Sequence, residues 1–336
     1  QMHSRNSNIE ILRIISMAMV LMVHFVGGAF NLPSLEDMQS PTTNMLLKIA
    51  LESIAIIGVN CFVLISGYFG IKFSIKGLLK YTFTCLFASL FVFFARTIID
   101  EEFSATLLLE SFLIYSHTDL WFVPAYLALF IISPLINDSL KNLKIKELIT
   151  ILACLTFVNV YLGWYHSGNL NPYGYNIMQM LYLYSIGHSL FRLKEYTKKV
   201  STANWLTLYC VFTILIAAST FILNSRVAFA YNSPFVLLSS ISFFMVFTSR
   251  KEYRNNFINF IAPASFMVYL LHKSPYFWLK LKNTLLNFST EYDNFIFMTV
   301  CISLFIAIYI LSTIIGIIYN ELSKEVEKLF RFRTRQ

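Results

Sequence analysis

The sequence is short of charge. Only 13% of its 336 residues are Asp, Glu, Lys or Arg, where a soluble domain carries about 25%. So little charge excludes disorder, which needs low hydrophobicity and high charge. It also argues against a soluble enzyme of ordinary composition. Cysteine is scarce and odd in number: Cys61, Cys85, Cys154, Cys210 and Cys301, five in all. Each lies in an apolar run and none has metal-ligand spacing, so they read as small buried hydrophobes rather than a disulfide framework or a metal site. The sequence has no Gly-rich phosphate loop with Lys-Ser/Thr, no His-Glu-x-x-His and no Gly-x-Ser-x-Gly elbow. No secretory signal stands at the start: the first apolar run carries Glu10, Arg13 and His24 without a small-residue cleavage site, and the chain opens on Gln1 rather than Met. There is no internal repeat, no low-complexity linker and no stretch that reads as a separate soluble domain.

What is present is apolar. Hydrophobic residues make up 57% of the chain and aromatics 17%, with 33 Phe and 19 Tyr; mean hydropathy is +0.63. These residues fall in runs near the ~20 that a membrane-spanning helix needs. Ten spans are expected, over about 9–30, 49–69, 78–99, 120–136, 148–165, 177–193, 205–223, 227–248, 257–281 and 295–319. The expected fold is therefore all-α, a polytopic helical bundle forming one integral-membrane domain, because only such a bundle satisfies the backbone in lipid.

The net charge of +8 reads as topology. Lys72, Lys76 and Lys80 follow span two. Lys141, Lys144 and Lys146 follow span four, Arg192, Lys194, Lys198 and Lys199 span six, and Arg250, Lys251 and Arg254 span eight. Lys324, Lys328, Arg331, Arg333 and Arg335 follow span ten. The alternate loops are poorer in base, and one, Asp100-Glu101-Glu102, is acidic. The positive-inside rule then places both termini in the cytoplasm. Nucleic acid is excluded as a partner, since no basic face forms outside the bilayer.

Ionisable residues inside spans are costly and mark function by default. In the first span, Arg13 and His24 stand 11 positions apart, which is about 16 Å along a helix and about 20° around it. They share a face, and Glu10 is spaced to pair with Arg13. An interfacial anchor remains the alternative for Arg13, and a hydrogen-bonded buried histidine the alternative for His24. Before span four, His117 and Asp119 are either an acid–base pair at the mouth of a site or a solvated loop. Trp121 and Phe122 read as interfacial aromatics. Ser265, Tyr269 and His272 recur at helical spacing and form either a functional stripe or a packing one. Glu52, Asn60, Arg96 and His188 are further polar residues in or near spans; Arg96 reads as an interfacial anchor.

At these residues the chain resembles the integral-membrane acyltransferase family 3, the O-acyltransferases that decorate bacterial surface polysaccharides. Glu10-Ile11-Leu12-Arg13 through His24 matches that family's Arg-x10-His signature. The segment from Val59 to Phe69, with Ser66-Gly67-Tyr68, resembles its Phe-rich Ser-Gly-Tyr segment. Trp121-Phe122 to Pro134 and Asn137 is similar to its Trp-Phe…Pro segment, and Ser265 to Tyr269-Leu270-Leu271-His272 to its late Ser…Tyr-Leu-x-His segment. The resemblance implies ten helices in the bacterial cytoplasmic membrane, with acyl-CoA, usually acetyl-CoA, as cytoplasmic co-substrate and no permanently bound cofactor. It implies His24 as the essential residue with Arg13 as its partner. Many members carry Arg-x-x-Arg in the loop after the second helix; here Lys72, Lys76 and Lys80 stand there, able to attract phosphates as point charges but not by a bidentate fork. Ser66, Tyr68, His117, Asp119, Trp121, Tyr269 and His272 are the acceptor-side or structural candidates. The chain ends soon after span ten, which matches the stand-alone membrane type of the family. The expected reaction moves an acyl group to a hydroxyl of a polysaccharide or lipid-linked saccharide, with His24 as general base or as transient acyl carrier. A transporter or flippase of a lipid-linked saccharide is the alternative, though no broken-helix pair or inverted repeat is visible.

Overall fold

The computed structural model describes residues 5–116, 118–166 and 170–333, and every regular element among them is helical. Helix α1 (Ser7–Val23) continues into a π-helical segment, His24–Ala29. Next come α2 (Thr43–Ala55), α3 (Gly58–Phe69), α4 (Ile75–Asp100), the short α5 (Ala105–Ser111) and α6 (Phe122–Asn142). Helix α7 (Ile145–Thr156) also runs on as a π-helix, Phe157–Tyr165. After it stand α8 (Ile177–Arg192), α9 (Lys194–Thr197), α10 (Thr202–Ser219), α11 (Ser225–Ala228) and α12 (Pro234–Thr248). The last four are α13 (Asn256–Ile261), α14 (Ser265–His272), α15 (Pro275–Glu291) and α16 (Asn294–Arg333).

Short polar side chains set the helix starts. Asn6 accepts from the Asn8 N–H at 3.0 Å, Ser74 from Gly77 at 3.0 Å and Asn176 from Met178 at 3.0 Å, each satisfying an amide that the first turn leaves free. Helices α12 and α15 open on Pro234 and Pro275, where a missing N–H costs nothing.

Seven helical units among the described residues are long and apolar enough to cross a membrane: Ser7–Ala29, Thr43–Phe69, Ile75–Asp100, Phe122–Asn142, Ile145–Tyr165, Thr202–Ser219 and Asn294–Glu327. The other three expected spans correspond to shorter helices. Pro234–Thr248 and Asn256–His272 are apolar but brief, and α8 is largely buried against its neighbours. A helix enclosed by protein need not match the hydrocarbon thickness by itself. Several boundaries move: the second unit starts at Thr43, the eighth at Pro234, and the tenth helix runs on to Arg333. The fourth span begins at Phe122 and runs to Asn142, with Pro134 inside it. The ninth stops at His272, and α15 starts afresh at Pro275.

Helix α1 is the seam of the molecule. It packs on α2, α3 and α12 on one side and on α14 and α16 on the other. Its Ile9, Leu12 and Met19 enter one hydrophobic core, with α3, α8 and α12; its Met17, Leu21 and Phe25 enter the second, with α4, α14 and α16. The closest crossing is α3 on α8. A Cβ on Gly67 would strike the Tyr184 carbonyl oxygen, and one on Gly187 would strike that of Leu64. Small residues at such crossings let membrane helices approach to backbone contact. Beside it, the loop after α3 is clipped in place: the Ile71 N–H donates to Tyr184 Oη at 2.8 Å, and Asn137 donates to the Ile71 carbonyl at 2.9 Å. The exterior is apolar, with Ile98 and Ile222 each 76% exposed. A surface of this kind suits hydrocarbon and not water, so the protein is an integral membrane bundle. Cys154 and Cys210 lie on that exterior; only Cys61 and Cys85 are buried as the sequence led one to expect of all five.

Candidate active site

The two histidines in question meet. His24, at the end of α1, places Nδ1 2.8 Å from Nε2 of His272, at the end of α14. His272 Nδ1 lies 2.5 Å from the Val268 carbonyl oxygen. A carbonyl only accepts, so His272 carries its proton on Nδ1 and its Nε2 is an acceptor. His24 Nδ1 is then the donor, and the lone pair of His24 sits on Nε2. The arrangement has the logic of a base oriented by a second group, with a buried histidine in the orienting role.

The backbone is built to make room for this pair. The π-helical segment begins at His24, and such wide turns recur at functional sites. Two glycines follow. A Cβ on Gly28 would come within 3.0 Å of the Trp278 ring, and one on Gly27 within 3.0 Å of the Glu52 carboxyl. Trp278, from α15, therefore reaches the His24 ring edge-on at a centroid distance of 5.8 Å. A cavity of about 40 Å³ opens beside His24, lined by Met17, Phe62, Trp121, Phe122, Tyr231 and Tyr269, among others. Its volume suits one or two waters or the reacting end of a substrate, and no more.

A second cavity, of about 270 Å³, lies toward the other end of the bundle, between Lys80, Tyr81, Tyr126, Phe130, Tyr319 and Asn320. Phe266 lines both cavities, so it borders both a roomy pocket with a lysine at its edge and a small one with the histidine. Arg13 bonds Glu10 at 2.6 Å, with 33% of the arginine side chain exposed against 4% of the glutamate. The second Glu10 oxygen is buried without a hydrogen-bond partner among the described residues. Helix α1 is regular through Val23, so the expected common face of Arg13 and His24 holds.

The family is settled by comparison with known proteins. The family model for the acyltransferase domain Acyl_transf_3 matches residues 6–320. The chain belongs to acyltransferase family 3. No curated protein and no solved structure matches it. The matched region takes in both cavities of this family 3 acyltransferase, as well as the histidine pair.

The remaining sequence candidates divide. Tyr269 and Trp121 line the His24 cavity, and so does Phe122, which therefore faces the site rather than a membrane interface. Ser66 sits one shell away, its hydroxyl 3.1 Å from Tyr126 Oη. Tyr68 packs on Phe191 and Phe244, apart from the histidines. Asp119 is exposed on a short turn. His117 lies outside the described residues. Of the three lysines, Lys80 borders the larger cavity, Lys76 pairs with Glu327 at 2.6 Å and Lys72 is exposed. Arg96 pairs with Asp100 at 3.7 Å and stacks on Tyr276. Trp278, Phe266 and the Gly27-Gly28 pair lie beside the histidine pair or its cavity and were not among the sequence candidates. The glycine pair three and four residues after an intramembrane histidine was a usable signal; for Trp278 there was none.

Proposed function

We propose that this protein is a membrane O-acyltransferase that moves an acyl group, acetyl in the simplest case, from acyl-CoA to a hydroxyl of a bacterial surface or exported saccharide. The observation that carries the reading is the His24–His272 pair at a small cavity that shares Phe266 with a larger cavity edged by Lys80. In this reading ten helical segments cross the bacterial cytoplasmic membrane, both termini are cytoplasmic and the Lys80 end faces the cytoplasm. The phosphates of CoA rest near Lys80, with Lys72 and Lys76 adding to the local positive potential. The pantetheine arm enters past Tyr81 and Phe266 and delivers its thioester to the His24 cavity. The acceptor hydroxyl arrives from the opposite end.

His24 Nε2 takes the proton of the acceptor hydroxyl, or carries the acyl group between two half-reactions. Either way it becomes cationic in passing, and His272 Nε2 is in place to accept from the imidazolium Nδ1–H. Arg13, held by Glu10, keeps a positive charge on the donor side of α1. The test is transfer of acetyl from acetyl-CoA to saccharide by the purified protein in lipid vesicles. His24→Ala is expected to abolish ester formation while the protein keeps its size-exclusion profile. Wild-type rates in that variant would overturn the assignment.

A further inference from the structure

The mechanism above provides a base but nothing to hold the charge that develops on the thioester oxygen. The His24 cavity contains an unused group suited to that task. Tyr269 is 6% exposed, and its hydroxyl is buried with no hydrogen-bond partner among the described residues. Buried hydroxyls are nearly always paired, and an orphan calls for an explanation. Here it lines the same cavity as His24. It stands three residues before His272 on α14, with the two rings 6.2 Å apart. The helix therefore aims the phenol and the orienting histidine into one space.

A second donor faces the same place. Helix α6 begins at Phe122, and its N-cap residue, Trp121, supplies no side-chain cap. The first-turn amides are the orphan donors of a helix and its positive end. The Phe122 and Tyr269 rings are 6.0 Å apart. Trp121 and Phe122 both line the cavity. The first residues of a 21-residue helix thus border a small cavity that already holds a base and an unpaired hydroxyl.

We propose that Tyr269 and the first turn of α6 form the oxyanion site of the transfer reaction, in which the Tyr269 O–H and the Phe122 N–H hold the thioester oxygen as it becomes negative. The proposal rests on the acyl-transfer reading. The oxygen of the acceptor hydroxyl attacks the thioester carbonyl carbon, and its proton passes to His24 Nε2. The carbonyl π pair moves onto the oxygen, where the two donors meet it. Collapse re-forms the C=O bond, breaks the C–S bond and releases a thiolate, which takes the proton from His24. Alcohol and thioester become ester and thiol. Because both donors are in place beforehand and bind the oxyanion more strongly than the neutral carbonyl, the effect belongs to kcat rather than to donor binding.

Tyr269→Phe removes the hydroxyl alone. In vesicles with acetyl-CoA and saccharide, its kcat is expected to fall about 10²- to 10³-fold, as for loss of an oxyanion donor elsewhere. The donor KM, and the affinity for a non-reactive ketone analogue of acetyl-CoA, should stay within about twofold of wild type on the same argument. A fluorinated tyrosine placed at 269 restores a hydroxyl of altered donor strength, and activity should return; a packing role would not distinguish it from Phe. An unchanged kcat in Tyr269→Phe, or weaker analogue binding with kcat intact, overturns the proposal. Either result with an active wild type and an inactive His24→Ala leaves the acyl-transfer reading standing. Absence of transfer by the wild type would remove that reading itself.

Discussion

His272 offers the sharpest perturbation. Its Nε2 accepts from His24 Nδ1 at 2.8 Å, and its own Nδ1 is committed to Val268. His272→Leu fills the space and deletes the acceptor. In the resting enzyme this removes a neutral hydrogen bond, worth about 0.5–1.5 kcal/mol net. When His24 takes a proton, the same bond becomes charge-assisted and is worth about 1.5–3 kcal/mol. The part realised only in the transition state is the difference, about 1–1.5 kcal/mol; at about 1.4 kcal/mol per tenfold it predicts a fall in kcat of roughly 5- to 12-fold. His272→Gln keeps an acceptor oxygen and should recover part of the loss. The assay is ester formation by the reconstituted protein under saturating acetyl-CoA. If His272→Leu retained wild-type kcat within about twofold, the hydrogen bond would carry no catalytic weight and the orienting role would be refuted.

Two further outcomes follow from the ion pairs and the larger cavity. Lys80→Ala should raise the KM for acetyl-CoA several-fold with little change in kcat; Lys76→Ala should do less, because its ammonium already pairs with Glu327. Equal effects in a steady-state titration of acetyl-CoA would count against that ordering. Arg13→Ala leaves the Glu10 carboxyl, 3% exposed, without its cation. Removing one partner of a buried pair costs about 3–5 kcal/mol, an upper bound here because Arg13 is partly exposed. The melting temperature in detergent should fall, and Arg13→Ala with Glu10→Gln should recover much of it.

Much of the molecule was legible beforehand. Apolar runs near the length of a bilayer and basic clusters between them suffice for a membrane bundle, because the solvent selects helices whatever their packing. The regularity of α1 put Arg13 and His24 on one face, since an 11-residue interval closes on three turns. The helical stripe of Ser265, Tyr269 and His272 was likewise visible as a period. These are local properties, and each depends on spacing within a single helix. The outer position of Cys154 and Cys210 was not visible, because an apolar residue looks the same whether it faces lipid or core.

The sequence alone therefore determined the class of protein, the approximate location of its long apolar helices and the identity of its intramembrane polar groups. The meeting of His24 with His272, 248 positions away, was decided only by the fold. It requires α14 to pack against α1 and end at the same depth as the π-turn. The sharing of Phe266 by two cavities and the approach of Tyr269 to Phe122 depend on helices crossing at particular heights. Spacing within one helix carries no information about those heights; they follow from close crossings such as Gly67 on Tyr184 and from the glycines that admit Trp278.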